Sequence, residues 1–183
     1  MNLANWITAS RVILAPVCVS ILFWDIPGRY LLAALIFIIA GLTDGLDGYA
    51  ARIRKEITPF GKSFDPLADK ILIILTLTVL AKLGLVSWVA VLIIITREIL
   101  ITVLRHFAGK KGLAIAASPW GKVKTFCQII AVSLIMFGHY LNWRQSFGIW
   151  VLWIAVALTV WSGIDYLWRW RSAFRTVKPI RQN

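Results

Sequence analysis

Apolar and polar positions divide the chain into six apolar stretches joined by short polar or turn-forming links. They cover about 6 to 24, 30 to 52, 61 to 83, 86 to 108 and 119 to 140, and the last runs from Phe147 to Trp170. At 1.5 Å per residue each can cross a hydrocarbon core of roughly 30 Å, so the pattern predicts six transmembrane helices. The links carry helix-breaking signals: Asp25-Ile26-Pro27-Gly28-Arg29 reads as a turn, and Pro59 precedes the third stretch. Pro16 falls inside the first stretch, where a helix bundle tolerates the kink it favours. Gly41, Gly45 and Gly48 give the second stretch the small-residue spacing of tight helix contact.

Composition agrees with the pattern. Of 183 residues 60% are hydrophobic, and the mean hydropathy of +0.79 excludes an ordinary soluble domain. The expected fold is an all-α integral membrane protein, one membrane-embedded domain over residues 1–183. A net charge of +12 would suggest nucleic acid in a soluble chain. Here the basic residues lie between apolar stretches, where they set topology and meet membrane lipid headgroups, so no nucleic-acid partner is expected. Six spans put both termini on one side; 17 of the 20 Lys and Arg fall there, and only Arg29, Lys82 and Arg144 on the other. That asymmetry makes both termini cytoplasmic, in an inner (cytoplasmic) membrane. Cys18 and Cys127 lie in apolar runs without metal or redox spacing and read as packing residues. The first stretch is read as a retained span, since Ser20-Ile21-Leu22-Phe23-Trp24 offers no small-x-small cleavage site.

Against this apolar background the acids stand out. The chain has eight, and Asp44, Asp47, Asp65 and Asp69 fall in one short window. On helices Asp44 and Asp47 share a face, as do Gly61, Asp65 and Asp69 at intervals of four. Two antiparallel helices joined by residues 53 to 60 would bring the two stripes together. Four converging carboxylates repel one another unless some are protonated or cations intervene, and hard oxygen donors suit magnesium, manganese or calcium. The plainer alternative is an interfacial salt-bridge network with Arg52, Arg54, Lys62 and Lys70. Intramembrane acids are functional by default, which favours a catalytic pair of divalent ions.

The window reads Asp-x-x-Asp-Gly-x-x-Ala-Arg, eight residues, Gly-x-x-x-Asp-x-x-x-Asp, from Asp44 to Asp69, and it resembles the signature of the CDP-alcohol phosphotransferases. The resemblance implies a membrane enzyme that takes a CDP-linked lipid, releases CMP and joins the remaining phosphoryl group to an alcohol. It also implies that Asp44, Asp47 and Asp65 hold two divalent metal ions, Mg or Mn, that Asp69 helps hold them or acts as base, and that Gly48 and Arg52 lie along the nucleotide. At the start of the chain, Asn5, Thr8 and Arg11 form a polar stripe that reads equally as a ligand surface or as an interfacial helix start. A similar Asn-x-x-Thr-x-x-Arg lies near the nucleotide site in the glycerol-3-phosphate branch of the family, which adds Asn5 and Thr8 to the implied nucleotide contacts. The family also implies a homodimer.

Acceptor choice rests on the basic residues around the fourth link. Arg97 and Arg105 lie inside an apolar pattern, where a cation costs a few kcal/mol unless paired or hydrated, and about 80° apart they can face one cleft. Lys122 and Lys124 are about 200° apart, so one of them is expected to face away. Lys110 and Lys111 are explained by topology alone. Arg97-Glu98, Arg105 and the run Gly121-Lys122-x-Lys124-Thr125-x-x-Gln128 resemble the glycerol-3-phosphate branch, and Ser162-Gly163-Ile164-Asp165-Tyr166 looks familial too. This implies CDP-diacylglycerol and glycerol 3-phosphate as substrates, CMP as a product, and Arg97, Arg105, Lys122 and Lys124 around the acceptor phosphate. Asp69, at the end of its stripe, is the expected base. A cardiolipin synthase or an inositol-phosphate transferase would keep the acidic window and change the acceptor pocket. A prenyltransferase lacks this acid spacing, and a small cation transporter would be supported by an inverted repeat, which the chain does not display.

Overall fold

The computed structural model describes the backbone of residues 3–54, 59–110, 119–143 and 146–176, and the side chains of 13–41, 70–109, 120–143 and 147–172. The described residues form six helices and no strand: α1 (Leu3–Phe23), α2 (Arg29–Arg54), α3 (Pro59–Lys82), α4 (Trp88–Lys110), α5 (Pro119–Tyr140) and α6 (Ser146–Thr176). The six apolar stretches correspond to them one for one. Pro16 does not break α1, which is assigned as continuous through it.

The helix ends follow from local chemistry. After α3 the Gly84 amide bonds back to the Ala81 carbonyl at 3.0 Å and the Leu85 amide to the Leu80 carbonyl at 2.9 Å. That paired cap needs a left-handed residue, and Gly84 adopts φ +76°. The end of α5 repeats the pattern with Asn142 at φ 52° and a Trp143 amide to Gly138 carbonyl bond of 2.8 Å. Ser87 opens α4, its hydroxyl accepting from the Val89 amide at 3.3 Å.

Helix packing closes a ring. Among the described residues α1 lies along α2 and α3, α2 along α5, α5 along α6, α6 along α4, and α4 along α3, whereas α2 and α3 touch each other little. α5 and α6 approach closely where Gly148 has no side chain: a Cβ there would stand 2.9 Å from the Ile135 backbone nitrogen. Phe37, Leu77, Leu80, Ile94, Ile135, Met136 and Leu152 fill the interior. The outer surface is apolar too, with Trp143, Phe147, Trp150 and Trp168 each about two-thirds or more exposed. Trp120–Tyr140 and Phe147–Ser172 are long and apolar enough to cross a membrane, while Ile13–Phe23 and Arg29–Gly41 are shorter apolar segments.

Candidate active site

Polar side chains gather where α3, α4, α5 and α6 meet. At the centre is Glu98 on α4, buried, with a cation reaching it from each of three helices. Lys124 of α5 contacts Glu98 Oε1 directly, Arg97 Nη1 of α4 lies 3.2 Å from that same oxygen, and Lys70 Nζ of α3 lies 3.5 Å from Oε2. Lys70 also donates to the Thr102 hydroxyl, which in turn donates to the Glu98 carbonyl at 2.6 Å. A buried carboxylate is tolerable when paired and hydrogen-bonded, and this one is held on both oxygens.

The α4–α6 seam extends the cluster. Arg97 Nη2 donates to Ser162 Oγ at 2.9 Å, and Ser162 Oγ donates to the Thr159 carbonyl at 3.0 Å. One turn further along α6, Tyr166 lies under Arg105, whose guanidinium carbon is 5.8 Å from the ring centroid. Both arginines of α4 therefore reach α6. Two polar atoms at this seam are buried without a hydrogen-bond partner among the described residues, Arg97 Nε and the Tyr166 hydroxyl. Behind them Gln128 Nε2 of α5 donates to Thr159 Oγ1 at 3.1 Å, tying α5 to α6.

Among the described residues Arg97 is incompletely compensated. A guanidinium stays protonated in proteins, and among the described residues Arg97 shares its one close carboxylate oxygen with Lys124. Its two terminal nitrogens are engaged, while its buried Nε–H has no partner among the described residues and remains a donor that an anion could satisfy.

Of the residues singled out by sequence, the structure brings Arg97 and Lys124 together on Glu98 and aims Arg105 at α6. Lys122 is exposed and Lys124 buried. The side chains of Asn5, Thr8, Asp44, Asp47, Gly48, Arg52, Asp65 and Asp69 lie outside the described residues, as does all of Lys111. Their helices are described: α2 runs unbroken through Asp44, Asp47, Gly48 and Arg52, and α3 through Asp65 and Asp69, so the intervals of three and four are helical intervals. Lys70 follows Asp69 directly, which links the basic cluster to the turn of α3 that bears the acids. The sequence did not disclose Lys70 and Ser162 as partners of Glu98 and Arg97. By sequence Lys70 reads only as a salt-bridge partner of the acidic window, and Ser162 only as part of a run that looks familial.

The chain matches the CDP-alcohol phosphatidyltransferase family over residues 1–161. It belongs to that family. Among similar proteins, the CDP-diacylglycerol–glycerol-3-phosphate 3-phosphatidyltransferase of Haemophilus influenzae is 39% identical over 170 residues, covering 91% of each chain. The protein of the same name from Bacillus subtilis is 39% identical over 190 aligned positions, covering 96% of this chain and 98% of its own. That of Rickettsia felis is 36% identical over 168 residues, covering 90% and 93%. Family membership makes the chain a transferase, and it gives the fully matched acidic window a context of phosphoryl-group chemistry.

Proposed function

We infer that this chain transfers the phosphatidyl group of CDP-diacylglycerol to glycerol 3-phosphate, giving phosphatidylglycerophosphate and CMP in phospholipid synthesis. The shared name of the relatives supports the reaction. The observation that carries the acceptor is the seam between α4 and α6, where the Arg97 Nε–H and the Tyr166 hydroxyl are buried without a hydrogen-bond partner among the described residues and Arg105 stacks on the Tyr166 ring. A phosphate monoester supplies the oxygens such donors lack. In this reading Arg97, Arg105 and Lys124 serve the acceptor phosphate, and Lys122, being exposed, serves headgroups or solvent.

The acidic window fits divalent cations by its donor chemistry, four hard carboxylates at helical intervals on two helices. Asp44, Asp47, Asp65 and Asp69 would hold them, two ions of Mg or Mn by family resemblance. Bound there, divalent ions neutralise pyrophosphate charge and stabilise the leaving CMP. Asp69 accepts the proton of the attacking glycerol hydroxyl, whose oxygen bonds to the diacylglycerol-linked phosphorus as the bond from that phosphorus to the CMP oxygen breaks. Asn5, Thr8, Gly48 and Arg52 line the nucleotide. The reading further holds that the chain is one catalytic domain, crosses an inner membrane six times with its site and both termini cytoplasmic, and works as a homodimer.

Purified protein given CDP-diacylglycerol, Mg and a panel of alcohol acceptors tests this by CMP release. Glycerol 3-phosphate should be preferred, and glycerol or inositol should be poor. If phosphatidylglycerol or inositol phosphate wins, the family stands and the acceptor does not. Asp44→Asn, Asp47→Asn, Asp65→Asn and Asp69→Asn should each cost orders of magnitude in turnover in protein that still inserts and purifies normally. Activity that survives a chelator would remove the metals. Cysteines placed at Lys110 and Arg144 should label from the cytoplasmic and outer sides respectively, and the reverse would invert the topology.

A further inference from the structure

The acceptor reading gives Arg97 a task but does not say what fixes its direction. Its side chain lies across α6, and α6 meets it with a residue pair. Ser162 is fully buried and accepts from Arg97 Nη2 at 2.9 Å, while its own proton goes to the Thr159 carbonyl. That bond orients the hydroxyl so that its lone pairs face the guanidinium. The next residue, Gly163, is buried as well. A Cβ at Gly163 would stand 3.3 Å from Arg97 Cγ and 3.6 Å from Nε.

Elsewhere a contact of 3.3 Å could be relieved by swinging the side chain away. Arg97 has little such freedom, because Nη1 lies on Glu98 at 3.2 Å and Nη2 on Ser162. A methyl group at Gly163 would push the Arg97 stem by a few tenths of an ångström while its far end is held, so the shift is passed to the guanidinium and its two bonds. The tight contact is with Cγ, while Nε, the one guanidinium nitrogen without a partner among the described residues, lies at ordinary contact distance from that position.

We infer that the Ser162-Gly163 step of α6 is a positioning element for Arg97 that sets affinity for the phosphate of the acceptor. Ser162 fixes the guanidinium's rotation and Gly163 leaves room for the Arg97 stem at Cγ. Neither residue touches substrate. The inference rests on the reading of Arg97 as an acceptor-phosphate ligand, and its test separates the two.

The test is steady-state kinetics of the full chain in lipid–detergent micelles, with Gly163→Ala and Ser162→Ala each made in the parent and in an Arg97→Ala background. In the parent, Ser162→Ala should raise the KM for glycerol 3-phosphate about tenfold and Gly163→Ala about fivefold, while the KM for CDP-diacylglycerol stays put. In the Arg97→Ala background both substitutions should add nothing, because the residue they position is gone. Equal effects in the two backgrounds would make the step ordinary helix packing and overturn the inference. So would kinetic silence of both substitutions while Arg97→Ala raises the acceptor KM. If Arg97→Ala itself leaves that KM unmoved, the acceptor reading fails first and this inference falls with it. Should Gly163→Ala not fold, Ser162→Ala carries the test, since it deletes one oxygen and adds no bulk.

Discussion

The seam among α1, α2 and α3 and the seam among α4, α5 and α6 are both closed to solvent, yet they are built from opposite materials. The first buries Ala15, Cys18 and Leu22 against Ala33, Ala34 and Phe37, with Leu77 and Leu80 behind them. Its polar contacts are few and long among the described residues, a Cys18 thiol 3.5 Å from the Ala33 carbonyl and 4.0 Å from the Thr76 hydroxyl. The second buries Glu98, Lys124, Gln128, Thr159 and Ser162, and ties Arg97 into the same network. Small and branched apolar groups stabilise by close packing alone. Charged groups do not, since replacing a buried ion network by apolar residues is often neutral or stabilising. A chain this rich in aliphatic residues had material for two apolar seams, so the polar one points to recognition.

The largest expected effects separate the two seams by kind. Glu98→Gln keeps the shape and removes the charge that Lys124, Arg97 and Lys70 share. It should destabilise by about 3–5 kcal/mol and lower kcat/KM for glycerol 3-phosphate by about two orders of magnitude in the molecules that remain folded. Phe37→Ala, a cavity in the apolar seam, should cost a similar ~3–5 kcal/mol in stability. Its kcat/KM, corrected for folded fraction, should stay within about twofold of the parent. Thermal unfolding paired with kinetics reads both, and a Phe37→Ala enzyme with a raised acceptor KM would erase the distinction.

A smaller effect sharpens the comparison within one helix. Lys124 and Lys122 are two residues apart on α5, one buried on Glu98 and one exposed. Lys124→Ala should lower kcat/KM for glycerol 3-phosphate by about tenfold or more, the cost of leaving a buried carboxylate short of a partner. Lys122→Ala should change it by less than about twofold, as an exposed charge contributes little. The opposite order would mean that the acceptor enters from the outer face of α5.

The limits of the sequence show in the same residues. Helical geometry required that Lys122 and Lys124 diverge, but which one turns inward depends on how α5 docks on α6, and that rests on a close approach at Gly148. Arg97 announced itself as a cation inside an apolar run, whereas the role of Glu98 could not be read, because Lys70 and Lys124 reach it from other helices. Helix order and type were legible, since apolar run length suffices for both. The last helix extends to Thr176, beyond the apolar limit at Trp170. Apolarity ends where the chain leaves an apolar surround, but a helix continues on its own backbone hydrogen bonds. For the acidic window the helical intervals were legible from spacing, since α2 and α3 run through them, while its side chains lie outside the described residues.

The smallest effect belongs to Cys18, and it tests whether the apolar seam is chemically silent. Its thiol is fully buried and donates to the Ala33 carbonyl at 3.5 Å, and a thiol is a weak donor, so little hydrogen-bond energy is at stake. Cys18→Ala removes one sulfur atom from a seam of small residues that can close up partly around the gap. Stability should fall by about 1 kcal/mol, with both Michaelis constants unchanged. In the folded parent a thiol reagent should leave Cys18 unmodified while it reaches Cys127, which is only half-buried, and unfolding should expose both. Rapid modification of Cys18 in folded, active protein would mean that α1 and α2 part in solution. A change in the acceptor KM on Cys18→Ala would mean that the apolar seam steers substrate, and the contrast between the seams would then be one of composition and not of task.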